Sequence, residues 1–90
     1  MDEWNTSHLE ILAKMVRVPV YGDHHKQTDT IQGWVDLEGD VFSEAMDDLI
    51  TDPQAPVRQK GRGTVQLTSV YETKEFIEEH DDEEEYSWYL

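Results

Sequence analysis

The stretch Val57–Leu67, VRQKGRGTVQL, decides the fold that this sequence predicts. Apolar and polar residues alternate on both sides of a central Gly-Arg-Gly, which is the period of strands with one buried face. The predicted inward-facing residues are Val57, Val65 and Leu67. Two glycines, Gly61 and Gly63, can supply the positive backbone φ angles of a tight turn. The stretch is therefore predicted to form a β-hairpin.

This hairpin carries a local reversal of charge. Three of the seven basic side chains lie on it, at Arg58, Lys60 and Arg62, whereas the whole chain has 21 acidic residues and a formal net charge of -14. Seven of those acids fall between Glu78 and Glu85, so the remaining fourteen still outnumber the bases twofold. Such a surface repels phosphate and anionic lipid at ordinary ionic strength. The composition therefore argues against a conventional nucleic-acid or membrane binder.

The composition also resembles that of proteins from salt-accumulating halophilic archaea, since Asp and Glu are abundant and only four residues are lysine. Molar salt shortens the Debye length to about 3 Å, which mutes repulsion between a carboxylate and a phosphate. Cysteine is absent, which leaves neither disulfides nor thiolate ligands. No apolar run approaches the roughly 20 residues of a membrane helix. A cytoplasmic, soluble protein without a cofactor is expected.

Helical periodicity precedes the hairpin in three places. A first helix is predicted from about Ser7 to Val16, with Ser7 and Glu10 at capping-box spacing. After a polar connection comes a short helical segment, Ile31–Val35. A further helix is predicted with Asp40 as its N-cap and Pro53 just beyond its end. Its apolar stripe consists of Phe42, Ala45, Met46, Leu49 and Ile50.

A last helix follows the hairpin. Ser69 and Glu72 have capping-box spacing, and an apolar face continues to about Glu79. The acidic run that begins at Asp81 is expected to be solvated, because it has nothing to bury. The predicted organisation is therefore one domain over residues 1–80 and an acidic, aromatic tail over residues 81–90.

With these elements the chain resembles the archaeal winged helix-turn-helix superfamily. The resemblance is carried by Asp48–Asp52 (DLITD), by Pro56–Arg58 (PVR), by the Gly61–Gly63 tip and by Val65–Ser69 (VQLTS). These stretches look like the end of a recognition helix, a wing, and the entry to a final helix. The resemblance implies an α+β fold, with a three-helix core, a β-hairpin wing and a C-terminal helix. That superfamily is used both for reading DNA and for binding proteins, so the fold alone does not choose between them.

One feature departs from the pattern of DNA-binding members. The second helix of the motif normally enters the major groove, but its exposed side would here carry Glu44, Asp47 and Asp48. Any contact with duplex DNA is therefore expected on the wing, through phosphate or the minor groove. The candidate nucleic-acid-binding residues are Arg58, Lys60 and Arg62 for phosphate, with Gln59 and Gln66 for base edges. The alternatives for the three bases are an edge ribbon protected from aggregation by charge, or internal pairing with the acidic tail.

Other candidate sites are weaker. His24 and His25 beside Asp23 suggest a metal site, but adjacent side chains diverge and no His pair has i, i+4 spacing. A polar loop is the better interpretation. No nucleophile has a His partner at a suggestive spacing and no phosphate loop is present, so the chain is not expected to be an enzyme.

The aromatic residues near the two ends of the chain are hard to bury together in a domain of this size. Such clusters commonly mark contact surfaces. A homodimer is therefore predicted, with Trp4, Tyr86, Trp88 and Leu90 as contact residues, and Trp34 is predicted to lie in the core.

The leading hypothesis is a small winged-helix protein adapted to high salt, which associates with DNA or regulates transcription and contacts phosphate through its wing. The first alternative is an adaptor that uses the same fold to bind a basic protein partner and no nucleic acid. The second is a protein whose acidic surface mimics DNA.

Overall fold

The helices and strands lie in two stretches, residues 4–18 and 26–81, which are the residues that this computed structural model describes. Their order is α1 (Thr6–Arg17), β1 (Lys26–Gln27), α2 (Thr28–Gln32), α3 (Gly39–Thr51), β2 (Val57–Gly61), β3 (Thr64–Leu67) and α4 (Val70–His80). The result is a small α+β domain with four helices and a three-stranded antiparallel sheet. The predicted fold class is confirmed at this level. None of the helices in the described stretches is long and apolar enough to cross a membrane.

The hydrophobic core forms around α1, which contacts α2, α3, α4 and β3. Three of its residues, Ile11, Leu12 and Met15, have no exposed surface. The stripe predicted for α3 is confirmed, with four residues buried and Ile50 half-buried. From the sheet, Val57, Val65 and Leu67 point into the same core, as the alternation predicted. Trp34 is half-buried and packs against the edge of this core.

The N-terminus of α1 is capped by Asn5 and not by Ser7, which was the predicted cap. The Asn5 side chain accepts hydrogen bonds from the backbone N–H groups of Ser7 and His8, at 2.9 and 3.4 Å. In return, Nδ1 of His8 accepts from the Asn5 backbone N–H at 3.1 Å, which completes a capping box. The helix therefore begins one residue earlier than predicted and ends one residue later, at Arg17.

The two middle helices also begin earlier than predicted. Helix α2 starts directly after the last paired residue of β1 and ends at Gln32, so Trp34 lies beyond it. The N-cap of α3 is Glu38, and Asp40 lies in the first turn, where its carboxylate accepts from the Val41 N–H and complements the helix dipole. The predicted end of α3 at Thr51, shortly before Pro53, is confirmed.

The hairpin is confirmed, and a third strand joins it. The order in the sheet is β1-β3-β2, so β3 is central and pairs antiparallel with both neighbours. Strand β1 was predicted to be part of a polar connection. Ser69 caps α4 as predicted, by accepting from the Glu72 N–H at 3.2 Å.

The turn of the hairpin uses one positive φ angle and not two. Gly63 has a φ of 71°, whereas Gly61 is the last residue of β2. We expect Gly63→Ala to lower the free energy of unfolding by about 1 kcal/mol, because a Cβ makes the left-handed conformation unfavourable. Gly61→Ala is the matched control and should change it by less than about 0.5 kcal/mol, since a Cβ there would meet nothing within 4 Å. Urea unfolding followed by circular dichroism measures both, and equal effects would contradict this account of the turn.

The acidic segment after α4 differs from its prediction at its first residue. Asp81 is buried, with 7% of its surface exposed, so the solvated region does not begin there. The rest of the predicted tail, residues 82–90, lies outside the described residues, as do residues 19–25.

Candidate nucleic-acid interface on the hairpin

The three bases of the hairpin are all exposed. Arg58 and Lys60 lie on β2, and Arg62 lies in the turn between β2 and β3. None of the three forms an ion pair or a hydrogen bond with a carboxylate of residues 4–18 or 26–81. Within these two stretches, no carboxylate neutralises their positive charges.

The surroundings of these bases in the sequence contain no acid. From Gln54 to Tyr71 the chain carries no Asp or Glu, although acids make up 21 of its 90 residues. Both strands of the hairpin and its turn fall within this segment. The hairpin therefore belongs to a segment whose own charges are all positive, in contrast to α3.

Strand pairing determines which way the bases point. Arg58 lies opposite Gln66, and Gln59 lies opposite Val65 on the other face of the sheet. The regular register is interrupted between Gln59 and Gly61, so Lys60 is the extra residue of a β-bulge. A bulge redirects a side chain that would otherwise follow the alternation. The bases therefore border the edge strand and the tip of the hairpin, and do not form one flat row.

The tip of the hairpin is held to the body of the protein. The backbone carbonyl of Gly63 accepts a hydrogen bond of 2.9 Å from the N–H of Thr28, the first residue of α2. Pairing of β1 with β3 adds a second attachment. The hairpin is thus one side of a three-stranded sheet and does not project as an isolated ribbon.

The two glutamines predicted to reach base edges differ in their exposure. Gln59 is exposed, and it stays a candidate. Gln66 is only 7% exposed, and its Oε1 has no hydrogen-bond partner among the described residues. A contact with a base edge needs an accessible amide, which the buried position of Gln66 does not provide. Strand alternation placed Gln66 on the outer face but carried no information on what covers that face.

One further base belongs to this region and was missed by the sequence analysis. Lys26 is exposed on β1 and lies opposite Val65 in the register, so it adds a fourth base to the sheet. It lies on the face opposite to that of Arg58. Its two-residue strand is too short for periodicity to reveal, since its place in the sheet depends on pairing with β3.

The outer side of α3 has the acidic character that the sequence predicts. Ser43, Glu44, Asp47 and Asp48 are all exposed, and the Asp48 side chain keeps 54% of its surface in contact with solvent. One Oδ of Asp48 lies 3.0 Å from Nε2 of His8. This side of α3 would meet DNA phosphates with like charge, so the basic hairpin is the better candidate for such a contact.

Of the predicted dimer contacts, one lies within the described residues. The Trp4 ring is half-buried and meets the His8 ring edge-on at 5.0 Å and the Phe76 ring at 5.3 Å between centroids. It is therefore packed against its own chain. Tyr86, Trp88 and Leu90 lie outside the described residues, and the homodimer stays a prediction.

The predicted polar loop with His24 and His25 also lies outside the described residues. Within residues 4–18 and 26–81, no group of three or more His, Asp or Glu side chains is placed to hold a metal ion.

Searches against models of protein families, curated proteins and solved structures give no match to the chain.

Proposed function

We propose that this protein is a small winged helix-turn-helix protein, adapted to high salt, which associates with DNA or regulates transcription and contacts phosphate through the β2–β3 hairpin. The observation that carries the proposal is the set of three exposed bases, Arg58, Lys60 and Arg62, without carboxylate partners among the described residues. The order of helices, with the hairpin after α3, is compatible with this fold.

The charge distribution supports contact by the hairpin over contact by α3. Lysine and arginine bind phosphate by replacing its condensed counterions, whereas a carboxylate facing phosphate is repelled. Glu44, Asp47 and Asp48 cover the outer side of α3, so its insertion into the major groove would bring like charges together. A hairpin contact leaves those carboxylates further from the duplex.

High salt makes such a contact compatible with the acidity of the whole molecule. At molar salt the Debye length is about 3 Å, so the charges of α3 are screened from a duplex that lies beyond direct contact. A phosphate within hydrogen-bond distance of an arginine is screened much less. Binding would then depend on the few bases that touch the duplex and hardly on the net charge.

The test is duplex binding by a triple variant, Arg58→Gln, Lys60→Gln and Arg62→Gln. We expect its affinity for a labelled duplex of about 25 base pairs to fall at least tenfold. The slope of log K against log salt, which is negative, should become smaller in magnitude by about 2 to 3, since each lost phosphate contact removes about 0.9 from it. Fluorescence anisotropy between 0.3 and 2 M KCl gives both quantities. The loss should be alike for duplexes of different sequence, because phosphate contacts carry no sequence information.

The chain offers a matched control for this experiment. Lys14, Arg17 and Lys74 lie on helices outside the sheet, and their replacement by glutamine removes the same charge. The control should bind the duplex within about twofold of the unmodified protein. Equal losses in the two triple variants, or no duplex binding by the unmodified protein at any salt, would overturn the proposal.

A further inference from the structure

Three depressions with carboxylates in their lining lie between the N-terminus of α1 and the outer side of α4, and neighbouring depressions share a lining residue. Together they are called the acidic groove here. The first, of about 160 Å³, lies between α1 and α3 and includes Asp48. The second, of about 440 Å³, shares Asp48 with the first and contains the Trp4 ring. The third, of about 380 Å³, shares Pro53 with the second and lies against α4.

The described residues that line the acidic groove carry charge of one sign. Among residues 4–18 and 26–81, no lysine or arginine lines any of the three depressions. Six carboxylates line them: Glu44, Asp48, Asp52, Glu72, Glu75 and Glu79. The last three recur at i, i+3 and i+7 on α4, so they share one side of that helix over about 10 Å. A ligand with several positive charges is therefore favoured.

Apolar residues share the lining of the acidic groove with the carboxylates, which distinguishes it from a merely acidic surface. Trp4 lines the second depression and Phe76 lines the third, and their rings are in contact. Pro53, Ala55 and Pro56 also belong to the lining. Aromatic faces attract arginine, and apolar walls accommodate the aliphatic stems of arginine and lysine while their charged heads reach a carboxylate. The combination suits long basic side chains.

The carboxylates of the acidic groove are spread along it. The described residues contain no group of three or more acidic or histidine side chains that converges enough to hold a metal. Carboxylates that are spread along a groove suit a ligand whose positive charges are also spread along its length. The chain itself has only seven basic residues, and three of them lie on the hairpin, outside the groove.

We propose that the acidic groove binds an arginine- and lysine-rich segment of a partner protein. This site is separate from the basic hairpin and does not rest on DNA binding by the hairpin. The rim carboxylates would pair with the basic side chains, while Trp4 and Phe76 contact their stems. The interaction should weaken with added salt, since its charges are at the surface.

The test uses a fluorescein-labelled peptide of twelve residues with arginine at every third position in an alanine background. The same peptide with citrulline for each arginine keeps the shape and removes the charge. At the lowest KCl concentration at which circular dichroism shows the protein folded, we expect the arginine peptide to bind at least tenfold more tightly than the citrulline peptide. Equal binding of the two peptides, or no binding of the arginine peptide, would overturn the proposal.

Two variants separate the acidic groove from the net charge of the protein. Glu72→Gln, Glu75→Gln and Glu79→Gln together remove three rim charges at exposed positions, and we expect about tenfold weaker peptide binding. Asp36→Asn, Glu38→Gln and Glu78→Gln remove three exposed charges that do not line the groove, and binding should stay within about twofold. Equal losses would mean that the peptide responds only to net charge and would reject the site. Displacement of the peptide by spermine at equal concentration would reject a protein segment as the preferred ligand.

Discussion

Replacing Leu49 with alanine will lower the free energy of unfolding by about 3 kcal/mol. Leu49 has no exposed surface and lies on α3, which packs against both α1 and β2. Its truncation removes buried methyl groups and leaves a cavity, which in well-packed cores costs about 2 to 5 kcal/mol. For a domain of ordinary stability, about 5 to 15 kcal/mol, this is a large share of the total.

The measurement for Leu49→Ala is urea unfolding at fixed KCl, followed by circular dichroism, with the slope of free energy against urea compared between variants. Val41→Ala is the control, because Val41 lies on the same helix with 39% of its surface exposed. It should change the free energy of unfolding by less than about 0.5 kcal/mol. A similar, small effect at both positions would show that α3 is not docked on α1 as described.

Replacing His8 with alanine should lower the free energy of unfolding by about 2 to 3 kcal/mol, which is the second largest effect that we expect. His8 is 2% exposed, and both of its ring nitrogens have partners. Because Nδ1 accepts from the Asn5 N–H, the proton lies on Nε2, which donates to the Asp48 carboxylate at 3.0 Å. Alanine would open the capping box, leave the Asn5 N–H without its acceptor, and remove the edge contact with Trp4.

Conservative variants divide this effect into its parts. In His8→Gln the side-chain oxygen can still accept from the Asn5 N–H, as in an ordinary capping box. We therefore expect the free energy of unfolding to fall by only about 1 kcal/mol. Asp48→Asn keeps an oxygen that accepts from Nε2, and its effect should be below about 0.5 kcal/mol. Thermal or urea unfolding of the three variants tests this order. If His8→Gln were as destabilised as His8→Ala, the capping box would not be the important contact.

Local sequence patterns predict the longer helices and the hairpin because each has its own apolar periodicity or a glycine or proline at its end. The apolar stripe of α3 and the proline that follows it predict that helix and its end, although not its start, and the Gly-Arg-Gly sequence predicts the hairpin. The cap of α1 is different. Ser7 and Glu10 have the same spacing as Asn5 and His8, so spacing alone does not choose between the two pairs. His8 also bonds to Asp48, forty residues away. Local spacing contains no information about that contact.

The candidate sites divide in the same way. The basic hairpin is predictable because its charges are contiguous in an acidic sequence, whereas Lys26 joins it only through strand pairing. The acidic groove could not be predicted, because its lining comes from the N-terminus of α1, the end of α3 and one side of α4. The burial of Gln66 could not be predicted either, because strand alternation assigns a residue to a face of the sheet but does not say whether that face is covered.

The hydrogen bond between the Gly63 carbonyl and the Thr28 N–H has a consequence for how a partner would be held. It fixes the turn that carries Arg62 relative to the start of α2, so the arginine backbone has little freedom left to lose when a partner binds. A molecule that binds to that turn would therefore be held in a fixed orientation relative to α2, because the turn does not need to move when the molecule binds.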